Sequence, residues 1–392
     1  MPTGRGWLCA LLGLGSIAIG RFLGLVEMYV IGAILLALIV LAVLVAVFRP
    51  LRLGVGRTIS PPRLHVGQEG RVEVAVRNGN TTTPVMRMTD RVQGTSGARL
   101  FLSPLEPDGV ARAAYRLPTE RRGIVTVGPV EFESTDAFGL SLRRFMAPSV
   151  GQLVVYPEVI PLPPAPPSPA SERRSTSDVP EFLGGRSEEF HALRPYVPGD
   201  DIRRINWAAS ARHDDLIVRE DEAPTLNHLT VMLDNASLTD DVALDRAASV
   251  AASILTSMRG GTDPFRLITA DGRDTDYVLG PAGLDRTLSI LAVVGHTEER
   301  GSDPAVPGAQ GALVLVTGER PSIDRTGLSA YGRVMTVTLM PSVWKTDGTT
   351  RRLPSTAEAR EGEVRLRLSS IDDLSSMWSR ALSTLLSAGV AR

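Results

Sequence analysis

Apolar residues run almost unbroken from Trp7 to Phe48, alternate with polar ones from Thr58 to Ile160, thin out through a proline tract, and return at strand and helix spacing from Leu226 onward. Met28 to Phe48 carries no formal charge. At ~1.5 Å of rise per residue that run crosses a hydrocarbon core of ~30 Å as a helix. Trp7 to Gly20 reaches the same length only by continuing to Val26, with Arg21 snorkelling to the interface. The two runs predict a transmembrane hairpin over residues 1–57. A cleaved signal peptide competes with it, with Arg5 as its charged start and Ala18-Ile19-Gly20 as a poor cleavage site; the hairpin is the better match. Arg5 precedes the first run and Arg49, Arg52 and Arg57 follow the second, whereas Arg21 and Glu27 lie between them. The positive ends therefore place both termini, and the soluble domains, in the cytoplasm.

Between residues 58 and 160 the pattern has a period of two. Val72, Val74 and Val76 alternate with Arg71, Glu73, Ala75 and Arg77 and stop at Asn78-Gly79-Asn80, as a half-buried strand does. Ala111–Leu117, Gly123–Val127, Val130–Glu133 and Gln152–Tyr156 behave alike. Short strands without helical periodicity predict an Ig-like β-sandwich, with no carboxylate pair or histidine cluster to give it chemistry. Prolines at 161, 163, 164, 166, 167 and 169 then make residues 161–183 a semi-rigid spacer.

Residues 226–392 alternate strand and helix. Leu229–Asp234, Phe265–Ala270, Gly311–Thr317 and Val334–Met340 read as strands. Ala247, Val250, Ala251, Ile254, Leu255 and Met258 form one helical stripe; Leu374, Met377, Trp378, Ala381, Leu382, Leu385 and Leu386 form another, capped by Ser370. Further helices are predicted at Ala282–Val294 and Ile323–Tyr331. The alternation implies a mainly parallel, Rossmann-type α/β sheet covered on both faces. Its ligands would sit at the carboxyl ends of the strands, where Asp234 falls.

The remaining stretch, residues 184–225, concentrates charge, aromatics and turn residues: EFHALRPYVPGDDIRRINWAASARHDDLIVRE lies within it. Pro198-Gly199 makes a turn that delivers Asp200 or Asp201 as a helix cap. The helix would carry Ile202, Ile205 and Ala209 on its apolar face, with Trp207 plugging a neighbouring surface and a strand following at Leu216–Arg219. Arg186, Arg194, Arg203, Arg204 and Arg212 can grip phosphate or carboxylate groups, and Asp200, Asp201, Asp214, Asp215 and Asp234 can bind a hard cation. These charges can equally pair with one another. The candidate partner-binding set is Arg186, Arg194, Tyr196, Asp200, Asp201, Arg203, Arg204, Trp207 and Arg212.

Composition removes several classes of function. With 42 basic against 43 acidic residues, a net charge of -1 gives no reason to expect nucleic acid. One cysteine, Cys9, leaves no disulfide, CxxC pair or thiolate metal site. The five histidines show no metal-ligand spacing, and neither a GxSxG elbow nor a GxxxxGK[ST] loop occurs. No catalytic constellation and no cofactor is expected.

The segment EFHALRPYVPGDDIRRINWAASARHDDLIVRE resembles the signature of the bacterial domain-of-unknown-function 58 family, and LTVMLDNAS resembles the first strand of its von Willebrand factor A-like domain. The resemblance implies a membrane-tethered protein associated with MoxR-type AAA+ ATPases. Metal-binding domains of the von Willebrand type carry an Asp-x-Ser-x-Ser loop. Here the loop reads Asp234-Asn235-Ala236-Ser237-Leu238, so Asp234 matches while Ala236 and Leu238 replace both serines. Ser237 and Thr239 stand one position out of register, and Glu319 is a suggestive further acid. This implies a degenerate site without tight metal binding. The resulting expectation is a cytoplasm-facing membrane adaptor for a protein partner. The alternative is a metal-dependent enzyme or an anion sensor using Asp234 and the signature Asp and Arg residues.

Overall fold

Two apolar helices open the chain, α1 (Gly4–Leu23) and α2 (Val26–Phe48), and both are long and apolar enough to cross a membrane. The computed structural model describes residues 1–48, 52–79, 81–136, 138–164, 190–197, 205–212, 215–221, 228–258, 263–298, 311–323, 328, 331–343, 354–360 and 363–390. The chain divides into two units, Met1–Tyr156 and Pro157–Arg392. In the first, α1 buries only Gly6, Gly13 and Gly20, one heptad apart, and α2 buries Gly32 and Ala42. Small residues let the two backbones approach closely. A Cβ on Gly32 would stand 2.6 Å from the Gly13 carbonyl oxygen, so the crossing point admits no larger residue. Many of the large apolar side chains of both helices, Leu8, Leu11, Phe22, Ile34 and Leu41 among them, are exposed.

The rest of this unit is made of β1 (Leu53–Ser60), β2 (Arg63–His65), β3 (Gly70–Asn78), β4 (Met86–Val92), β5 (Ala98–Leu102), β6 (Val110–Leu117), β7 (Gly123–Thr135), β8 (Leu142–Ala147) and β9 (Gly151–Tyr156). They form a three-stranded sheet, β1-β3-β6, and a second sheet, β2-β9-β7-β4-β5, with β8 also paired to β7. One core joins the sheets: Val72, Val74 and Val76 from the first share it with Met86, Met88, Phe132, Leu153 and Val155 from the second. This is a β-sandwich. It starts at Leu53, inside the stretch assigned by pattern to the hairpin. The two strands expected at 123–127 and 130–133 are one long strand, β7, running through Gly128-Pro129.

Inside this core the Arg57 guanidinium donates to Asp90 Oδ1 at 2.5 Å and to the Val127 carbonyl at 2.6 Å, and the Tyr115 hydroxyl donates to Asp90 Oδ2 at 2.6 Å. Burial and the bond to Asp90 hold the Tyr115 phenol above its ordinary pKa. Gly128, at φ +101°, makes room for Arg57: a Cβ there would stand 2.5 Å from its Nη1. Loop residues 139–142 meet the hairpin. The Thr3 amide donates to the Leu140 carbonyl (2.8 Å), the Leu142 amide to the Met1 carbonyl (2.8 Å), and the Ser141 hydroxyl to the Ala42 carbonyl (3.2 Å). The start of α1 and the last turns of α2 thus lie at the same end, beside the sandwich.

The second unit begins with residues 157–164 held to its helices. The Ile160 amide donates to Ser253 Oγ, Arg246 pairs with Glu158, and Trp378 Nε1 donates to the Pro163 carbonyl. The start of the predicted spacer is therefore pinned rather than free, and 165–183 lies outside the described residues. Next come β10 (Phe190–Pro195), α3 (Trp207–Ser210) and β11 (Ile217–Asp221), with β10 and β11 antiparallel.

The chain then forms β12 (Leu229–Leu233), α4 (Asp241–Ser257), β13 (Phe265–Thr269), α5 (Gly280–Val293), β14 (Ala312–Thr317), β15 (Arg333–Leu339), β16 (Thr356–Arg360), β17 (Glu363–Leu368) and α6 (Leu374–Val390). The sheet order is β13-β12-β14-β15-β17-β16, parallel throughout except at β16. The strands β12, β13 and β14 are buried at every residue, as cover on both faces requires. Met232, Ile268, Leu313 and Leu315 pack on one face against Ile323, Leu328 and Tyr331. The helix predicted over 323–331 otherwise falls outside the described residues.

Candidate functional site

Asp234 follows the last residue of β12 and is fully buried. Its Oδ1 accepts from the Ser237 amide at 3.2 Å and from the Ser322 hydroxyl. Its Oδ2 accepts from the Thr317 hydroxyl and the Ser322 amide, each at 2.8 Å. Ser237 Oγ lies 3.1 Å from Thr317 Oγ1 and accepts the Gly318 amide at 2.9 Å. Next to this, buried Asn235 donates to the Gly295 carbonyl (2.7 Å) and accepts from the Ala270 amide (2.9 Å). The carboxyl ends of β12, β13 and β14 are thereby tied together through one carboxylate and one amide.

A carboxylate offers about four acceptor directions, and here four donors of the same chain occupy them. Carboxylate and hydroxyl oxygens are hard ligands suited to magnesium or calcium, and one carboxylate, Asp234, meets three hydroxyl side chains, Ser237, Thr317 and Ser322, here. The hydroxyls of Thr317 and Ser322 are spent on the carboxylate, and no second acid joins it: among the described residues no group of three or more His, Cys, Asp or Glu could hold a metal ion. Ser237 takes part although it stands out of register with the metal-binding loop pattern, whereas Glu319 is exposed. Thr317 and Ser322 were not signalled by sequence, because neither belongs to the loop after β12.

At the opposite ends of the same strands, Arg266 Nε donates to Asp274 at 2.7 Å, and its guanidinium lies over the Tyr277 ring. Burial opposes ionisation of Asp274, yet the Arg266 guanidinium holds its carboxyl below the usual range. Burial, with Tyr277 nearby, pushes the Tyr331 phenol up to about 12.

The second candidate region is the β10–β11 hairpin. Arg194 is paired in β10 with Val218, and the Tyr196 amide donates to the Leu216 carbonyl at 2.7 Å. Ile205 is not on a helix face as the pattern suggested; it bridges Val218, and both are buried. The helix α3 starts two residues later and is capped by Asn206, whose Oδ1 accepts the Ala209 amide at 3.1 Å. Trp207, expected to plug a neighbouring surface, is 64% exposed, with Val197 and Leu216 also exposed. Arg212 is exposed as well. Arg186, Asp200, Asp201, Arg203 and Arg204 lie outside the described residues.

Residues 192–319 match the family model described as "Protein of unknown function DUF58". The match takes in the hairpin from Ala192 onward and Asp234, Ser237 and Thr317 of the network, while Ser322 lies beyond it. No curated protein matches the chain. Among solved structures the chain is similar to the CARDB domain of a Pyrococcus furiosus protein in complex with di-metal ions, at 15% identity and a TM-score of 0.21, covering 27% of this chain and 88% of that one. It is also similar to a β-glucosidase from Erythrobacter marinus, at 17% identity and a TM-score of 0.17, covering 27% of this chain and 15% of that one. Likenesses at these scores carry no argument about this chain.

Proposed function

We propose that this chain is a membrane adaptor. Its apolar hairpin spans the bilayer, its soluble parts face the cytoplasm, and its DUF58 segment offers a mixed apolar and charged surface to a protein partner. The observation that carries the reading is Trp207, 64% exposed, with Val197 and Leu216 of the same segment exposed too, while Ile205 and Val218 are buried. Exposed aromatic side chains are enriched at the centres of binding surfaces, and the exposed Arg212 adds charge to the same segment. The arginine-rich ends of the hairpin support the cytoplasmic orientation.

The parallel sheet with Asp234 at the carboxyl end of β12 supports a von Willebrand A-like reading of the α/β unit, with binding rather than turnover as its role. By the family resemblance, the partner is a MoxR-type AAA+ ATPase. An enzymatic reading would have to run through Asp234, whose acceptor positions are filled by the chain's own donors.

The test is a photo-activated cross-linking residue at position 207 of the full chain in native membranes, compared with Trp207→Ala in copurification. Cross-linking to an ATPase, together with loss of copurification in Trp207→Ala, is expected. Unchanged copurification of that variant overturns the reading.

A further inference from the structure

The loop Asp136–Ser141 between β7 and β8 stands where the apolar hairpin meets the sandwich. Ser141 donates to the carbonyl of Ala42, which precedes the end of α2 at Phe48 by about 9 Å of helix. The chain stays free of charge up to Phe48, and Arg49 follows. The loop therefore touches α2 well inside its uncharged span. On its other side the Thr3 hydroxyl donates to the Gly139 carbonyl at 2.6 Å, and Gly6 packs against the Leu140 carbonyl with no room for a Cβ.

Irregular backbone is tolerated at membrane depth only where its polar groups are satisfied, and several of the described polar groups of this loop are. The Asp136 carboxylate accepts the amides of Phe138 (3.3 Å) and Ser141 (2.6 Å). The Gly139 amide donates to the Asp136 carbonyl (3.0 Å), and the Asp136 amide to that of Ser141 (3.3 Å). The loop presents Phe138, 65% exposed, to its surroundings. Interfacial side chains reach about 5–10 Å into the headgroup and acyl boundary, the depth that the contact with Ala42 sets.

We propose that the Asp136–Ser141 loop enters the lipid headgroup region of the bilayer that holds α1 and α2, with Phe138 as an interfacial anchor that fixes the sandwich against the membrane. This rests on the hairpin spanning a membrane, and it adds that the sandwich does not swing free of the surface. Its occupant is lipid, because the loop is hydrogen-bonded to the residue that caps α1, Thr3, and to Ala42 of α2, the two helices the bilayer holds.

The experiment uses the full chain with Cys9→Ala, reconstituted in phosphatidylethanolamine–phosphatidylglycerol vesicles. A polarity-sensitive fluorophore is attached in turn to Phe138→Cys, Leu41→Cys and Ser96→Cys. Leu41 is exposed on α2. Ser96 follows β4, whose Val92 pairs with Val127 while Met86 pairs with Ser134, so it lies about 25 Å of strand away from the loop. Lipids carrying a nitroxide near the headgroup end of the acyl chain are then added. The expected result is that the labels at 138 and 41 lose most of their emission while the label at 96 keeps it. A label at 138 as bright as that at 96, with the label at 41 dimmed, overturns the loop anchor and leaves the hairpin standing. An undimmed label at 41 overturns both. Self-quenching at 138 that depends on protein density and not on the nitroxide assigns the loop to a second copy of the chain and also overturns the proposal.

Discussion

Asp90 in the sandwich and Asp234 in the α/β unit are both fully buried, yet they keep different company. Asp90 faces a guanidinium, Arg57, and a phenol, Tyr115, inside a core sealed between two sheets. Asp234 faces neutral donors, two hydroxyls and two amides, contributed by Ser237 and Ser322 in loops and by Thr317 at the end of β14. The first arrangement is an ion pair that locks one sheet to the other. The second is a clasp that holds loops in register. A buried acid at the carboxyl end of a parallel strand is thus not by itself a ligand site; here the hydroxyls that would surround a cation surround the carboxylate instead.

The largest test of this difference is Asp90→Ala. It strands the Arg57 charge in the core, and breaking a buried pair from one side costs about 3–5 kcal/mol. Denaturant unfolding of the sandwich should show that loss, while the double replacement Arg57→Met with Asp90→Leu should recover most of it, because an apolar pair of similar volume is often neutral. If the single variant unfolds no more easily than the parent chain, the ion pair does not hold the sheets together.

A smaller loss is expected at the clasp. Asp234→Asn keeps the shape but puts an amide NH2 where one carboxylate oxygen accepted, so the backbone amide of Ser237 or of Ser322 loses its acceptor, at a cost of about 1–3 kcal/mol. The change should show as faster proteolysis within residues 318–323 before global unfolding, since only the loops lose their tie. A cost equal to that of Asp90→Ala, with no local cleavage, would put the two acids in the same class.

Sequence made some of this legible and hid the rest for physical reasons. The valines of β3 announce their burial because β-branched residues alternate with charges there, and the stripe of α6 does so at helical spacing. The strand β4 hides its core positions as Met86 and Met88 between Arg87 and Thr89, and β16 and β17 alternate with so much arginine and glutamate that they read as surface. Asp90 carries no local mark, since its partners lie 33 and 25 residues away in sequence. Asp234 could be found from its place at the end of an apolar strand. Its clasp could not, because Thr317 and Ser322 reach it only through the parallel crossover that sets β14 beside β12. The stretch that carries the resemblance, residues 189–220, overlaps the DUF58 match from residue 192 onward; α3 is capped by Asn206, and Asp200 and Asp201 lie outside the described residues. A turn dipeptide, Pro198-Gly199, drew the helix start too early, and pairing of Ile205 with Val218 delayed it.

The smallest expected effect is that of magnesium on the clasp. Octahedral magnesium needs oxygens with free lone pairs directed at one point, and Asp234 offers one formal charge whose acceptor positions already receive four protons from its own chain. Binding would require the Thr317 and Ser322 hydroxyls to turn away and the Ser322 amide to give up its acceptor, so folding and the cation compete for the same carboxylate. Added magnesium should therefore leave the melting temperature of the α/β unit unchanged. The measurement is sensitive, because a ligand at about a hundred times its dissociation constant adds about 2.7 kcal/mol of stability by mass action. A rise on adding magnesium that disappears in Asp234→Asn would show the clasp opening to take the ion, and would move Asp234 from tying loops to binding a ligand.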